Sequence, residues 1–306
     1  MLLVLLLALA IDSAFGEPPV YIHPVVWNGR LAAKLTRPGS GYMYGVLLWA
    51  SAVLPILVPI SLTLHYLKGV ALILVASYFL KTSFSIRMLH DLVKEFLDSG
   101  QRQYIQQMVR RDVTSVEEEY VNSAAIESLF ESTVDGIVSP LFWFALAGIV
   151  GALLQRLANT MDSMVGYKTP SLYRLGYFSA KADTVINYLP SRITALVMLA
   201  ASRLIGFRCS GCLMAGKRAS MDSINAKYPI ATAACIMGIT LEKIGHYRLD
   251  YGPLPNSTHV RASLQLFKVT VTIFLTLCIT FSLIEDHYLH GSTLFGLLEG
   301  LWKLIQ

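Results

Sequence analysis

The sequence predicts an all-α fold, a polytopic helical bundle embedded in a membrane. Three observations predict it. Charged residues make up 15% of the 306 and hydrophobic residues 54%, against about 25% charged in soluble domains. Apolar runs long enough, or nearly so, to cross ~30 Å of hydrocarbon recur along the chain. Proline- and glycine-rich words punctuate them. About five to seven membrane-associated helices are expected on that count. The length would allow two soluble domains, but the repeated runs argue for one integral membrane domain over residues 1–306. Polar segments 82–136 and 155–192 are expected to carry the active site. The net charge of +5 fits basic residues beside anionic headgroups. No nucleic-acid-binding motif is visible, so no nucleic acid is expected as partner.

Met1–Ile11 is apolar and lacks a basic start, so it predicts a retained first helix, possible through Phe15. Gly16-Glu17-Pro18-Pro19 and His23-Pro24-Val25 forbid a continuous helix. A short basic helix with Arg30, Lys34 and Arg37 follows. Tyr42–Leu67 is long enough to span, with Pro55 and Pro59 placed to kink it. Val70–Leu80 is too short to span unless Lys81–Ser85 extend it. Over Ile86–Gln107, Ile86, Leu89, Val93, Phe96 and Leu97 share one face against Arg87, Asp91, Lys94 and Asp98, which predicts an amphipathic helix. Ser115 and Glu118 have capping-box spacing, so the next helix is predicted to begin at Val116.

That helix carries Glu127, Glu131 and Asp135, four residues apart. Such spacing stacks carboxylates along one drifting stripe. The stripe repels itself and favours a compensating cation. Asp135-Gly136 ends or bends the helix, and Ile137–Leu154 is the next apolar run. Residues 155–192 offer arginines and lysines for phosphate or carboxylate oxygens, and Asn159, Asp162 and Asp183 for a hard cation. Neither a Walker loop nor a nucleotide-binding glycine fingerprint occurs. Ile193–Phe207 is apolar, Arg208–Lys227 reads as a flexible basic loop, and Pro229–Leu241 is a short apolar run. Gly245–Arg261 is rich in turn residues. Val269–Ile284 is the last clear span and needs its flanks to cross, and Leu294–Ile305 is expected to form a final amphipathic helix. Basic residues in nearly every loop leave the orientation open. Of the four cysteines, Cys209 and Cys212 are a minor candidate for a redox pair, and incidental cysteines are the favoured reading. No zinc-ligand spacing is present.

The order of words resembles the CobD/CbiB family of cobalamin biosynthesis, the adenosylcobinamide-phosphate synthases. The resemblance rests on Asp12, Gly16-Glu17-Pro18-Pro19, His23-Pro24-Val25 and Gly29-Arg30, then Arg110-Arg111-Asp112-Val113-Thr114-Ser115, then Glu127 to Gly136. It continues in Asn159-Thr160-Met161-Asp162-Ser163-Met164-Val165-Gly166-Tyr167, Asp183, Asn187-Tyr188, Pro190-Ser191-Arg192 and Asn225-Ala226-Lys227-Tyr228-Pro229. Arg110, Ser132 and Lys227 depart from the family's words.

The resemblance implies a multi-pass protein of the cell membrane that joins adenosylcobyric acid to aminopropanol phosphate, or a related amino-alcohol phosphate. The reaction uses ATP and Mg²⁺ and makes an amide. The lipid bilayer, other corrinoid-pathway enzymes and a second copy of the chain are the remaining candidate partners. For that chemistry Glu127, Glu131, Asp135 and Asp162 are expected to be catalytic, with Asp112, Glu127, Glu131 and Asp135 holding metal. Arg111, Arg156, Lys168 and Arg192 are expected on phosphate oxygens. Asn159, Tyr167 and Asn225 are expected on the corrinoid, and His23, Asp183 and Asn187 complete the substrate-binding set. A corrinoid-binding scaffold without activity and a membrane transporter are the alternatives.

Overall fold

The structure, a computed structural model, describes residues 1–207 and 210–289. The expected helix over Leu294–Ile305, and Arg208 and Cys209, lie outside the described residues. The helices in chain order are α1 (Leu2–Phe15), α2 (Pro24–Leu35), α3 (Tyr42–Tyr66), α4 (Gly69–Lys81), α5 (Ile86–Ser99), α6 (Gln103–Gln106) and α7 (Glu118–Thr133). A π-turn at Val134–Val138 leads into α8 (Ser139–Val165), followed by α9 (Tyr177–Ile186), α10 (Tyr188–Leu204), α11 (Ala215–Arg218), α12 (Lys227–Met237) and α13 (Ser257–Ile284). A two-stranded antiparallel hairpin, β1 (Leu241–Lys243) and β2 (Tyr247–Leu249), precedes α13. The all-α membrane bundle is therefore the observed class. Among the described residues, four stretches are long and apolar enough to cross a bilayer: Tyr42–Tyr66, Gly69–Ser99, Glu118–Val165 and Ser257–His287. α9 and α10 taken together would make a fifth.

Several local expectations change. Helix α7 starts at Glu118, not Val116, because the Ser115 hydroxyl is used elsewhere: it donates to Asp112 Oδ2 at 2.8 Å. The polar segment 155–192 is largely helical. Leu157, Ala158, Met161 and Val165 keep one face of α8 buried well past the apolar run. Asp135-Gly136 does not end the helix; it falls in the π-turn, where one extra residue per turn is absorbed. The true break in α8 is at Ala147-Gly148, and Gly148 takes φ 63°, which a side chain would strain. The turn-rich region contains β2, which pairs with β1 just before it; both strands are too short for a period-of-two signal. α5 ends at Ser99, where Gly100 follows, with Leu89, Val93 and Phe96 buried as their spacing requires.

The chain divides into two compact units. The first comprises residues 1–85, 139–187 and the chain from Leu277. Here α2, α3, α8 and α9 pack together, and α1 lies along α4. Its core includes Ala32, Leu48, Ala52, Leu153, Leu157 and Leu175. In lipid, apolar burial gives helices little reason to associate, so close packing of small residues matters more. Gly45 shows it: a Cβ there would collide with the carbonyl oxygen of Leu175. The second unit comprises residues 86–138 and 188–276. In it α12 packs on α7, α10 and α11, and β1 lies against α7.

Cys212 and Cys235 form a disulfide with Cα atoms 5.6 Å apart, which ties the turn before α11 to α12. This corrects the reading of the cysteines as incidental, and Cys212 is paired with Cys235 rather than Cys209. A loop of 23 residues brings the two together, a separation that carries no sequence signature. Cys278 is a buried free thiol.

Candidate functional site

The second unit holds the richest cluster of chemically capable side chains. Its centre is Glu127, buried on α7. Oε2 accepts from Arg111 Nη2 at 3.1 Å and from the Tyr247 hydroxyl at 2.7 Å. Oε1 accepts from the Ser123 hydroxyl at 2.6 Å. Ser123 in turn receives the backbone N–H of Glu242 at 2.8 Å, so the hairpin is pinned to α7 at two points. Burial raises the Tyr247 phenol well above its ordinary pKa, and the Glu127 charge pushes it the same way. Tyr247 is therefore a permanent donor.

The segment carrying Arg111 is braced by side chains. Gln106 Nε2 donates to the carbonyls of Val109 and Arg111 at 3.1 and 3.0 Å, and its Oε1 accepts from Val113 N at 3.0 Å. Arg102 Nη1 donates to the carbonyls of Val113, Thr114 and Val116. Asp112 is fully exposed, and hydrogen bonds from the Thr114 hydroxyl, the Thr114 N–H and the Ser115 hydroxyl lower its pKa.

Glu127, Glu131 and Asp135 do not share one environment. Glu127 is buried, Glu131 exposed and Asp135 half-buried in the π-turn, which breaks the four-residue stripe. Among the described residues no three His, Cys, Asp or Glu side chains are grouped to hold a metal ion. Asp112, Glu127, Glu131 and Asp135 therefore do not form the expected ligand set: Glu127 is spent on Arg111, Tyr247 and Ser123, and the Asp112 oxygens on Thr114 and Ser115.

A second group in this unit surrounds Arg192. Its guanidinium lies between two rings, 3.5 Å from the Tyr188 centroid and 4.1 Å from that of Tyr228. Nη1 donates to the Tyr188 carbonyl at 2.6 Å, Ser191 Oγ at 2.9 Å and Asn225 Oδ1 at 2.8 Å. Stacked on both faces and engaged along an edge, Arg192 is a strut between α10 and the start of α12 rather than an open phosphate ligand. That corrects its expected role. Asn225 is buried and takes part through the same bond.

The first unit holds its own polar centres. Asp183 Oδ1 accepts from Asn159 Nδ2 at 3.1 Å and Asn187 Nδ2 at 2.8 Å. Asn187 Oδ1 accepts from the Ser139 hydroxyl and from Gln155 Nε2. Arg156 donates to Asn159 Oδ1 at 3.3 Å. Here Asn159, 24 residues before Asp183, joins Asp183 and Asn187 in one network. Asp162 lies half-buried on the same helix, against Gly166. Tyr167 donates to the Ser163 carbonyl at 2.8 Å, and Lys168 is exposed.

The other centre in this unit surrounds Lys81, which is wholly buried. Its ammonium hydrogen-bonds Glu17 at 3.0 Å and the Phe84 carbonyl at 2.9 Å and forms an ion pair with Asp12 at 2.9 Å. His23 caps α2: its Nδ1 accepts from Val25 N at 3.3 Å, which places the proton on Nε2, 3.5 Å from Glu17. Burial acts to raise the Glu17 pKa, but the His23 hydrogen bond and the Lys81 charge prevail and lower it to about 2.

Ser123, Tyr247, Lys81, Arg102 and Gln106 were not singled out as functional by sequence reasoning. Only Lys81 left a trace there, as a lysine closing an apolar run.

Membrane-crossing helices that carry buried ionic and carboxamide networks define the class: a polytopic membrane protein with polar chemistry built into its helical units. The CobD/Cbib protein family matches residues 5–274. "Probable cobalamin biosynthesis protein CobD" of Thermoplasma volcanium is 34% identical over 293 residues, covering 90% of this chain and 96% of that protein. The protein of the same description from Aeropyrum pernix is 38% identical over 267 residues, covering 82% of this chain and 83% of its own. "Cobalamin biosynthesis protein CobD" of Dehalococcoides mccartyi is 36% identical over 287 residues, covering 87% and 92%. The chain belongs to the CobD/CbiB family of cobalamin biosynthesis. No solved structure matches it.

Proposed function

We propose that this protein is an adenosylcobinamide-phosphate synthase of the cell membrane, a carbon–nitrogen ligase that joins adenosylcobyric acid to aminopropanol phosphate or a related amino-alcohol phosphate. Family membership supports the reading. The observation that carries it is the Arg111–Glu127–Tyr247 cluster, which seats a partly exposed guanidinium one residue before the exposed Asp112. A guanidinium so placed suits phosphate oxygens.

A carboxylate is a poor electrophile. Phosphoryl transfer from ATP to the corrinoid propionate supplies a leaving group, and attack by the neutral amine forms the C–N bond and releases phosphate. When bound, Mg²⁺ would neutralise phosphate oxygens; one carboxylate suffices beside those oxygens, and Glu131 or Asp135 would provide it. Arg111 binds and orients phosphate. Asp112, held ionised by Thr114 and Ser115, would attract the ammonium form of the amine rather than serve as its base. Asn225, in the same unit as Arg111, offers a carboxamide of the kind that meets the amide side chains of a corrinoid.

The test is incubation of the purified full chain with adenosylcobyric acid, aminopropanol phosphate, ATP and Mg²⁺. A product with the mass of adenosylcobinamide phosphate is expected. Corrinoid binding without product would point to a scaffold, and corrinoid flux in sealed vesicles to a transporter; either overturns the synthase.

A further inference from the structure

We propose that Tyr247 is a positioning residue: it holds the Glu127 carboxylate so that Arg111 can turn from Glu127 to a phosphate monoester. The inference rests on the reading of Arg111 as a phosphate ligand given above.

The ion pair engages one nitrogen of Arg111, Nη2, on one oxygen of Glu127 at 3.1 Å. A guanidinium presents five N–H donors in a planar fork. The Arg111 side chain is 26% exposed, whereas that of Glu127 is 6% exposed. The arginine can therefore reach an anion from outside, but the carboxylate cannot follow it. Withdrawing the guanidinium would leave a buried charge uncompensated, a costly state. Two neutral donors remain in place to meet that cost. The Tyr247 hydroxyl bonds the same oxygen that Arg111 would vacate, at 2.7 Å. The Ser123 hydroxyl bonds the other, at 2.6 Å.

Both donors are fixed from elsewhere. Tyr247 pairs with Lys243 across the hairpin, and Ser123 receives the Glu242 N–H at 2.8 Å. Because burial and the neighbouring carboxylate keep the phenol protonated, the donor does not disappear with a modest rise in pH. The hairpin is thus a bracket that makes the Arg111–Glu127 pair exchangeable. Without the phenol, Glu127 leans more heavily on Arg111, and less of the guanidinium is available to phosphate.

The experiment is a double-mutant cycle on the full chain in detergent, with inorganic phosphate as the probe and its affinity measured by calorimetry. Tyr247→Phe is expected to weaken phosphate binding about tenfold, the size of a hydrogen bond to a charged group. Glu127→Gln removes the competing anion, so adding Tyr247→Phe to it is expected to change nothing further. A merely structural role for Tyr247 would give the same loss in both backgrounds, and that result overturns the proposal. Unchanged affinity in Tyr247→Phe, wild-type affinity in Arg111→Ala, or no phosphate binding by the wild type would overturn it as well. Wild-type affinity in Arg111→Ala would also remove Arg111 as the phosphate ligand of the synthase reading, whereas the product assay decides that reading itself. If Tyr247→Phe does not fold, Ser123→Ala removes the donor at the other oxygen and is read in the same cycle.

Discussion

At the scale of residues, the ionic centre around Lys81 gives a pH dependence with a defined sign. Glu17 is held at about 2 in the folded chain, below the ordinary glutamate value of about 4.3. A depressed carboxyl pKa contributes stability that is complete above the unfolded value and is lost as pH falls through the folded one. The thermal midpoint in detergent should therefore drop as pH is lowered from about 4.3 towards 2. Glu17→Gln should flatten the curve over that interval. The Glu127 centre shows what single residues disclose in a sequence. Glu127 stood out as chemistry because acids are scarce near an apolar run. Its partners did not. Tyr247 lies 120 positions away in a turn-rich stretch, and nothing local marks a tyrosine as the donor to a distant carboxylate. Arg192 was legible as a charge but not as a stacked strut, since Tyr188 and Tyr228 meet it only after α10 and α12 pack together.

Elements were legible where apolar spacing alone defines them. α3 follows its pattern closely, α5 begins where its pattern begins but stops at Ser99, and α13 reaches back to Ser257 because its polar flank continues the helix. Elements held by side-chain to backbone bonds were not. The 109–116 segment has neither helical nor strand periodicity, and its shape comes from Gln106, Arg102 and Asp112. Gln106→Glu replaces the donor that faces two carbonyls with an acceptor while keeping the side chain's size. Hydrogen exchange in detergent should then become roughly tenfold faster for the amides of residues 109–116, the scale of a lost hydrogen bond. Unchanged protection would mean that Gln106 does not brace the segment. The capping-box expectation at Ser115 failed for a related reason: its hydroxyl had a nearer acceptor in Asp112.

At the scale of the whole molecule, composition alone settled the membrane class, because a chain this apolar has few other ways to bury its side chains. The division into two compact units was not legible, since each is assembled from separated stretches of chain. The candidate residues divide accordingly. Arg111, Asp112, Glu127, Glu131, Asp135, Arg192 and Asn225 belong to one unit, and His23, Arg156, Asn159, Asp162, Tyr167, Lys168, Asp183 and Asn187 to the other. Sequence order placed both sets within a few words of each other and gave no sign of that division.

The Cys212–Cys235 bridge spans Lys217 and Arg218, both on the surface of α11. Trypsin cutting there would nick the backbone without separating the pieces. On a denaturing gel the nicked protein should run as one band until a reductant is added, and as two bands afterwards.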